Sequence, residues 1–253
     1  MFPWGSTPPS FKDLVKLAEA AESLGLDSVH IPYHLTLPTG WIFQSFGNRD
    51  VVDTVTLAAA IAARTDRIRI GLNAVVLPLA HPFTWAKSLS TLDWISDGRL
   101  IVGVAIGWWR EEFEIVGADI RKRAAVTDEQ LAILKELWTR EKVIYHGKFY
   151  DLKDVELEPK PVRKPYPQIW IGGSRASIPR ASKHADYLMP ETLTVEQVRD
   201  EYLPLLREAG RKEGRDVRLA NFTYAAVADD RAQFETSIMP QPVSYTHLTL
   251  PTN

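Results

Sequence analysis

The chain has 253 residues, 45% of them apolar and 25% charged, with 30 basic residues nearly balanced by 32 acidic ones. A net charge of −2 offers no electrostatic attraction to nucleic acid or an anionic membrane, and the lack of cysteine excludes a disulfide framework, a thiolate metal site and a cysteine nucleophile. The longest apolar stretches, near Leu57–Ala63 and Ile101–Trp109, are too short to span a bilayer, and the amino terminus has no signal-peptide pattern, so a cytoplasmic protein is expected.

Met1 to Trp4 reads as the end of a strand. Ser10 and Asp13 form a capping box, which predicts a helix from Phe11. Leu14, Val15, Ala18, Ala21 and Leu24 recur at helical spacing, and Gly25 suits its carboxyl cap. Asp27–Ile31 is a short strand stopped by Pro32. The alternation repeats with a helix over Val51–Arg64 and a β-branched strand over Arg67–Val76. Pro82 opens a helix that ends at Gly98, and Leu100–Ile106 is a buried strand. Thr127 and Gln130 read as a capping box before Leu131, Leu134, Leu137 and Trp138.

The rhythm then breaks. Val143–Tyr145 and Lys148–Tyr150 flank His146-Gly147 as a hairpin, and a proline-rich run follows to Pro167. This is an insertion, because strand and helix alternate again afterwards. Gln168–Ile171 and Tyr187–Met189 are strands around a helix at Ser177–His184. Thr194 with Gln197 caps a helix to about Glu208, and Val217–Val227 is a further strand.

Mostly apolar strands joined by amphipathic helices imply a parallel sheet covered on both faces. Seven strands without a dinucleotide fingerprint favour an α/β (β/α)₈ TIM barrel over an open doubly wound sheet. Active sites of such barrels lie at the carboxyl ends of the strands. There the sequence places His34, then Asn73, Ala74 and Val75, then Gly107, Trp108, Trp109, Glu111 and Glu112, then Gly172, Gly173 and Ser174. His34 is a candidate acid–base group, and one of the glutamates, taken as Glu111, a candidate proton donor. Gly107 would let a flat ring approach the backbone. The Gly172–Ser174 turn would offer backbone N–H groups to phosphate, although such turns are common. His30 sits inside a strand and reads as structural, and His81 before Pro82 as helix-start geometry. No metal-ligand pattern is present, Pro32 rules out a helical His30/His34 pair, and no carboxylate pair across the pocket is evident.

Three segments carry a resemblance: Ala20–Val29, His81–Trp108 with Thr91-Leu92-Asp93-Trp94-Ile95-Ser96-Asp97-Gly98-Arg99-Leu100 at its centre, and Ile169–Ser174. They resemble the luciferase-like monooxygenase superfamily, above all the subgroup that uses the deazaflavin coenzyme F-420. The resemblance implies a luciferase-like (β/α)₈ barrel with an insertion, and a flavin- or deazaflavin-dependent oxidoreductase. It would move a hydride between F-420 and a small organic substrate. FMN with oxygen activation is the alternative, and a degenerate cofactor binder a further one. By position, His34 matches a histidine near the reactive carbon of the deazaflavin. Asn73, Ala74 and Val75 match a strand bulge, often with a non-proline cis peptide, that backs the ring. Gly107 and Trp108 match residues beside it, and Gly172, Gly173 and Ser174 the cofactor phosphate site. A homodimer is also implied. Tyr33 stands where the subgroup has an aspartate, so His34 is expected to lack its carboxylate partner.

Residues 1–236 are expected to form one truncated barrel domain, incomplete at both ends with strand eight missing, and residues 237–253 a non-native tail. Such a barrel would be marginally stable and bind its cofactor weakly. Substrate choice is expected in the loop Leu35–Asn48 and in the insertion Val143–Pro167.

Overall fold

The computed structural model describes residues 10–36 and 52–222. The expectations for Met1–Trp4, for most of the Leu35–Asn48 loop and for everything after 222, including the tail and the missing strand, lie outside the described residues.

Helix α1 (Phe11–Ser23) starts at the expected capping box: Ser10 and the Asp13 carboxylate satisfy each other's backbone N–H groups. Strand β1 (Ser28–Ile31) follows. Helix α2 (Thr54–Ala62) begins later than predicted because Asp53 caps it, accepting from Thr56 N at 2.7 Å. Then come β2 (Arg69–Val76), α3 (Pro82–Ile95), β3 (Leu100–Ala105) and the short α4 (Arg110–Ile115). His81 caps α3, its Nδ1 accepting from Phe83 N, which is the structural role expected for it. Helix α5 (Arg123–Thr139) starts four residues before the predicted box. Thr127 is mid-helix and donates to the Arg123 carbonyl, while Gln130 is recruited by Ala80 O and Tyr150 Oη.

Strands β6 (Gln168–Gly172), β7 (Tyr187–Met189) and β8 (Arg218–Leu219) complete a six-stranded parallel sheet, with α6 (Ile178–His184) and α7 (Leu203–Lys212) between them. Its order is β1-β2-β3-β6-β7-β8. Strands thus follow chain order with no reversal, whereas a doubly wound sheet reverses at its switch point. The sheet also curls. The His30 ring of β1 lies 5.2 Å from the Trp170 ring of β6, although two strands separate them. This is the wall of a barrel-type α/β fold. Its outward side chains, including Ile70, Leu72, Val102, Val104, Ile169, Ile171 and Leu188, are buried beneath the helices.

The amino-terminal face of the wall is fastened by charged groups used as hydrogen-bonding brackets. Glu22 accepts from the backbone of Asp66, Arg67 and Ile68 at 3.1, 2.6 and 2.8 Å. Arg99 donates to Ser96 O, Thr65 Oγ1, Ile68 O, Ala62 O and Thr65 O, all within 2.9 Å. It thereby satisfies carbonyls left over at the end of α2.

Hairpin β4 (Lys142–His146) and β5 (Asp151–Glu156) carries the insertion. The predicted second strand, Lys148–Tyr150, is instead part of the turn. The Glu129 carboxylate of α5 accepts from the N–H groups of Lys148, Phe149 and Tyr150, which removes them from the ladder. Lys87 of α3 donates to Glu158 O, and Lys160 donates to Leu137 O at 3.1 Å. The insertion is therefore clamped to α3 and α5 outside the wall. The insertion, expected to help choose the substrate, packs on these helices, and its Tyr150 ring lies 5.3 Å from the His81 ring at the start of α3.

Replacing Arg99 by Met keeps the apolar stem but abandons five acceptors. Arg99→Met is expected to cost about 3 kcal/mol. A chemical-denaturation midpoint equal to that of the wild type would show that the bracket is unimportant.

Candidate active site

The site is built where β1 and β3 end. After β1, Pro32 O accepts from Thr54 Oγ1 at 2.7 Å, and Tyr33 turns inward against Trp85, ring centroids 5.8 Å apart. Burial, with the nearby Glu112 charge second, pushes the Tyr33 phenol well above its ordinary value. The next side chain, His34, is 20% exposed. After β3 the chain passes Gly107, Trp108 and Trp109 into α4, which turns Glu112 and Phe113 inward and leaves Glu111 exposed.

Glu112 Oε1 lies 3.2 Å from His34 Nδ1 and accepts from Leu35 N at 2.6 Å. Its side chain is 2% exposed. Glu112 rather than the expected Glu111 thus stands at the histidine, because one residue along a helix is about 100° of rotation. The expected loss of a carboxylate at Tyr33 is corrected as well, because Glu112 supplies one from another strand end.

Aromatic rings close the site on one side. Trp108 and Trp109 are stacked with centroids 6.4 Å apart, and His34 stands edge-on to both, at 6.2 and 6.4 Å. Trp109 is buried and Trp108 is 57% exposed. Gly107 has φ +80°, and a Cβ there would lie 2.6 Å from Val76 and 2.8 Å from Phe113. Internal packing by itself already requires a glycine at this position.

On β2 the register shifts between Leu72 and Val75, and the Asn73–Ala74 peptide is cis. The bulge therefore falls where the family resemblance implied it. Val75 is fully buried in the core, so of the three residues expected there only Asn73 and Ala74 are partly accessible. The Leu72 carbonyl would be 1.9 Å from a Cβ on Gly103, and Ala74 Cβ 3.7 Å from one on Gly172. Small residues of β2, β3 and β6 thus share the inner face near the carboxyl ends. Deeper in, His30 lies against Gly71, where a Cβ would come within 2.2 Å of its ring. The Trp170 ring lies 4.5 Å from the Tyr187 ring and is tilted to it by 31°, and its indole N–H is buried with no hydrogen-bond partner among the described residues. An aromatic floor lies under a layer of alanine and glycine, a shape that fits a flat ring. The sequence reading missed Glu112 as the partner of His34, and it missed Gly103 and Trp170.

At the end of β6, Gly173 has φ +133°, and a Cβ would meet Ser177 Oγ at 2.4 Å. Its N–H already donates to Met189 O at 3.2 Å. The expected run of N–H groups for phosphate is therefore shorter by one, and Ser174 and Arg175 are the exposed polar residues of this turn. Among the described residues no helix is long and apolar enough to cross a membrane.

The model of the luciferase-like monooxygenase family matches residues 2–249. The chain belongs to the luciferase-like monooxygenase family. Among its relatives, an FMNH(2)-dependent dimethylsulfone monooxygenase of Pseudomonas putida is 31% identical over 73% of this chain and 50% of that enzyme. An uncharacterised protein of Mycobacterium tuberculosis is 32% identical over 79% of this chain and 74% of its own length. The match thus spans half the length of the first of these relatives. Of the solved structures, the monooxygenase RslO1 of Streptomyces bottropensis aligns with TM-score 0.77 and 27% identity, over 89% of this chain and 68% of that one. An F-420-dependent secondary alcohol dehydrogenase aligns with TM-score 0.74 at 21% identity, over 84% and 64%, a likeness of fold alone.

Gly103→Ala forces a methyl group onto a backbone carbonyl, so it should lower stability by about 2 kcal/mol or more, read from the urea midpoint. His30 and His184 are held down to about 4, each by burial first, then by charges that include Arg69 for His30 and Lys135 for His184. Their unfolded forms take up protons near 6.5, so the stability these two groups contribute should fall as pH drops from about 6.5 to about 4 and then change no further. A His30→Gln variant should show a shallower fall in its melting temperature over that window; an unchanged slope would remove His30 from the account.

Proposed function

We propose that this luciferase-like chain is an oxidoreductase that passes a hydride between coenzyme F-420 and a small organic substrate. The observation that carries this reading is the His34–Glu112 pair at the strand ends, beside an inner face of alanine and glycine over an aromatic floor. A bound deazaflavin or flavin supplies the hydride chemistry. Asn73, Ala74, Gly107 and Trp108 would hold its ring, and Gly172, Gly173 and Ser174 its phosphate-bearing tail. Trp108 and Trp109 would keep water from the reacting face. His34 would hold or exchange a proton on the substrate side. A homodimer in the cytoplasm is part of the same proposal.

Oxygen activation with FMN is the second reading, favoured by the 31% identity to a monooxygenase whose name specifies reduced FMN. Titration of the purified protein with F-420 and with FMN, read by fluorescence, tests both. Saturable F-420 binding with substrate-dependent bleaching is expected. Oxygen uptake with reduced FMN would move the assignment to the second reading, because a deazaflavin reacts poorly with oxygen. Tight binding with no turnover across a substrate panel would mark a degenerate member, and no binding of either cofactor would end the proposal.

A further inference from the structure

The buried carboxylate of Glu112 is not on the part of the chain that carries His34. It enters from α4, after β3, and reaches across to the end of β1. One oxygen, Oε1, meets two groups there. The first is the backbone N–H of Leu35, an obligatory donor at 2.6 Å. The second is His34 Nδ1 at 3.2 Å, whose role as donor or acceptor depends on the tautomer. An ionised carboxylate can only accept. Two acceptors facing each other would repel, so the proton of a neutral His34 ring belongs on Nδ1.

We infer that Glu112 is a positioning residue that fixes His34 in the Nδ1–H tautomer and so makes Nε2 an acceptor. The ring cannot turn over without bringing carbon to the buried oxygen, and the edge-on indoles of Trp108 and Trp109 limit its tilt. The tautomer does not depend on the oxidoreductase reading above.

The test reads the ring directly. Protein labelled with ¹⁵N-histidine, with no cofactor added, gives the proton position from long-range ¹H–¹⁵N correlations at a pH where the ring is neutral. The His34 signal is assigned by its loss in His34→Gln. The wild type should show a protonated Nδ1 and an unprotonated Nε2. Glu112→Gln, whose amide oxygen can still accept, should keep that pattern, and Glu112→Ala should shift the proton toward Nε2. A wild-type ring with its proton on Nε2 overturns the inference even if Glu112→Ala fails to fold. An unchanged tautomer in a folded Glu112→Ala overturns it too. If neither F-420 nor FMN binds, the oxidoreductase reading fails, and the spectrum still decides the role of Glu112.

Discussion

A backbone carbonyl of β2 occupies the place where residue 103 of β3 would carry its Cβ. Much of the inner face depends on that contact. It lets β2 bulge between Leu72 and Val75 while staying paired with β3 on both sides of the bulge. It brings Ala74 to the same side as Gly103 and Gly172, so three strands present almost no side chain near their carboxyl ends. The same economy recurs deeper in the wall, where Gly71 yields its space to the His30 ring. A barrel interior is normally filled by layers of bulky side chains. Here the packed layer is His30, Trp170 and Tyr187, and the layer above is thinned.

Stability and chemistry are divided between the two ends of the strands. At the amino-terminal face, Glu22 and Arg99 spend their charges on backbone groups of connecting loops. The carboxyl-terminal face holds the histidine, the buried glutamate and the paired indoles. The Asp93–Leu100 stretch at the centre of the family resemblance belongs to the first set, whereas Gly107, Trp108 and the Gly172–Ser174 turn lie on the other face. Family membership therefore draws on both faces, and the activity has to be argued from the carboxyl-terminal one.

The elements whose signals are local were legible in the sequence. Ser10 with Asp13, Thr194 with Gln197 and the His81-Pro82 helix start all behave as their residue types dictate. Parallel strands were legible from apolar runs, and the bulge at Asn73–Ala74 from resemblance. Errors arose where a distant group decides. Thr127 and Gln130 have the spacing of a cap, but buried partners claim both side chains. The hairpin turn is set by Glu129, far away in sequence. Glu111 and Glu112 are chemically alike, and a six-residue helix has too little periodicity to say which one faces inward. Gly103 was passed over because its constraint comes from the neighbouring strand.

His34 and Leu35 share one carboxylate oxygen. The orientation of the imidazole and the course of the chain leaving β1 are consequently not separate variables. A substitution that moves the Leu35 backbone would pull on the same atom that steers the ring, like two ropes tied to a single cleat. The imidazole would turn with the histidine, the glutamate and both tryptophans all left in place.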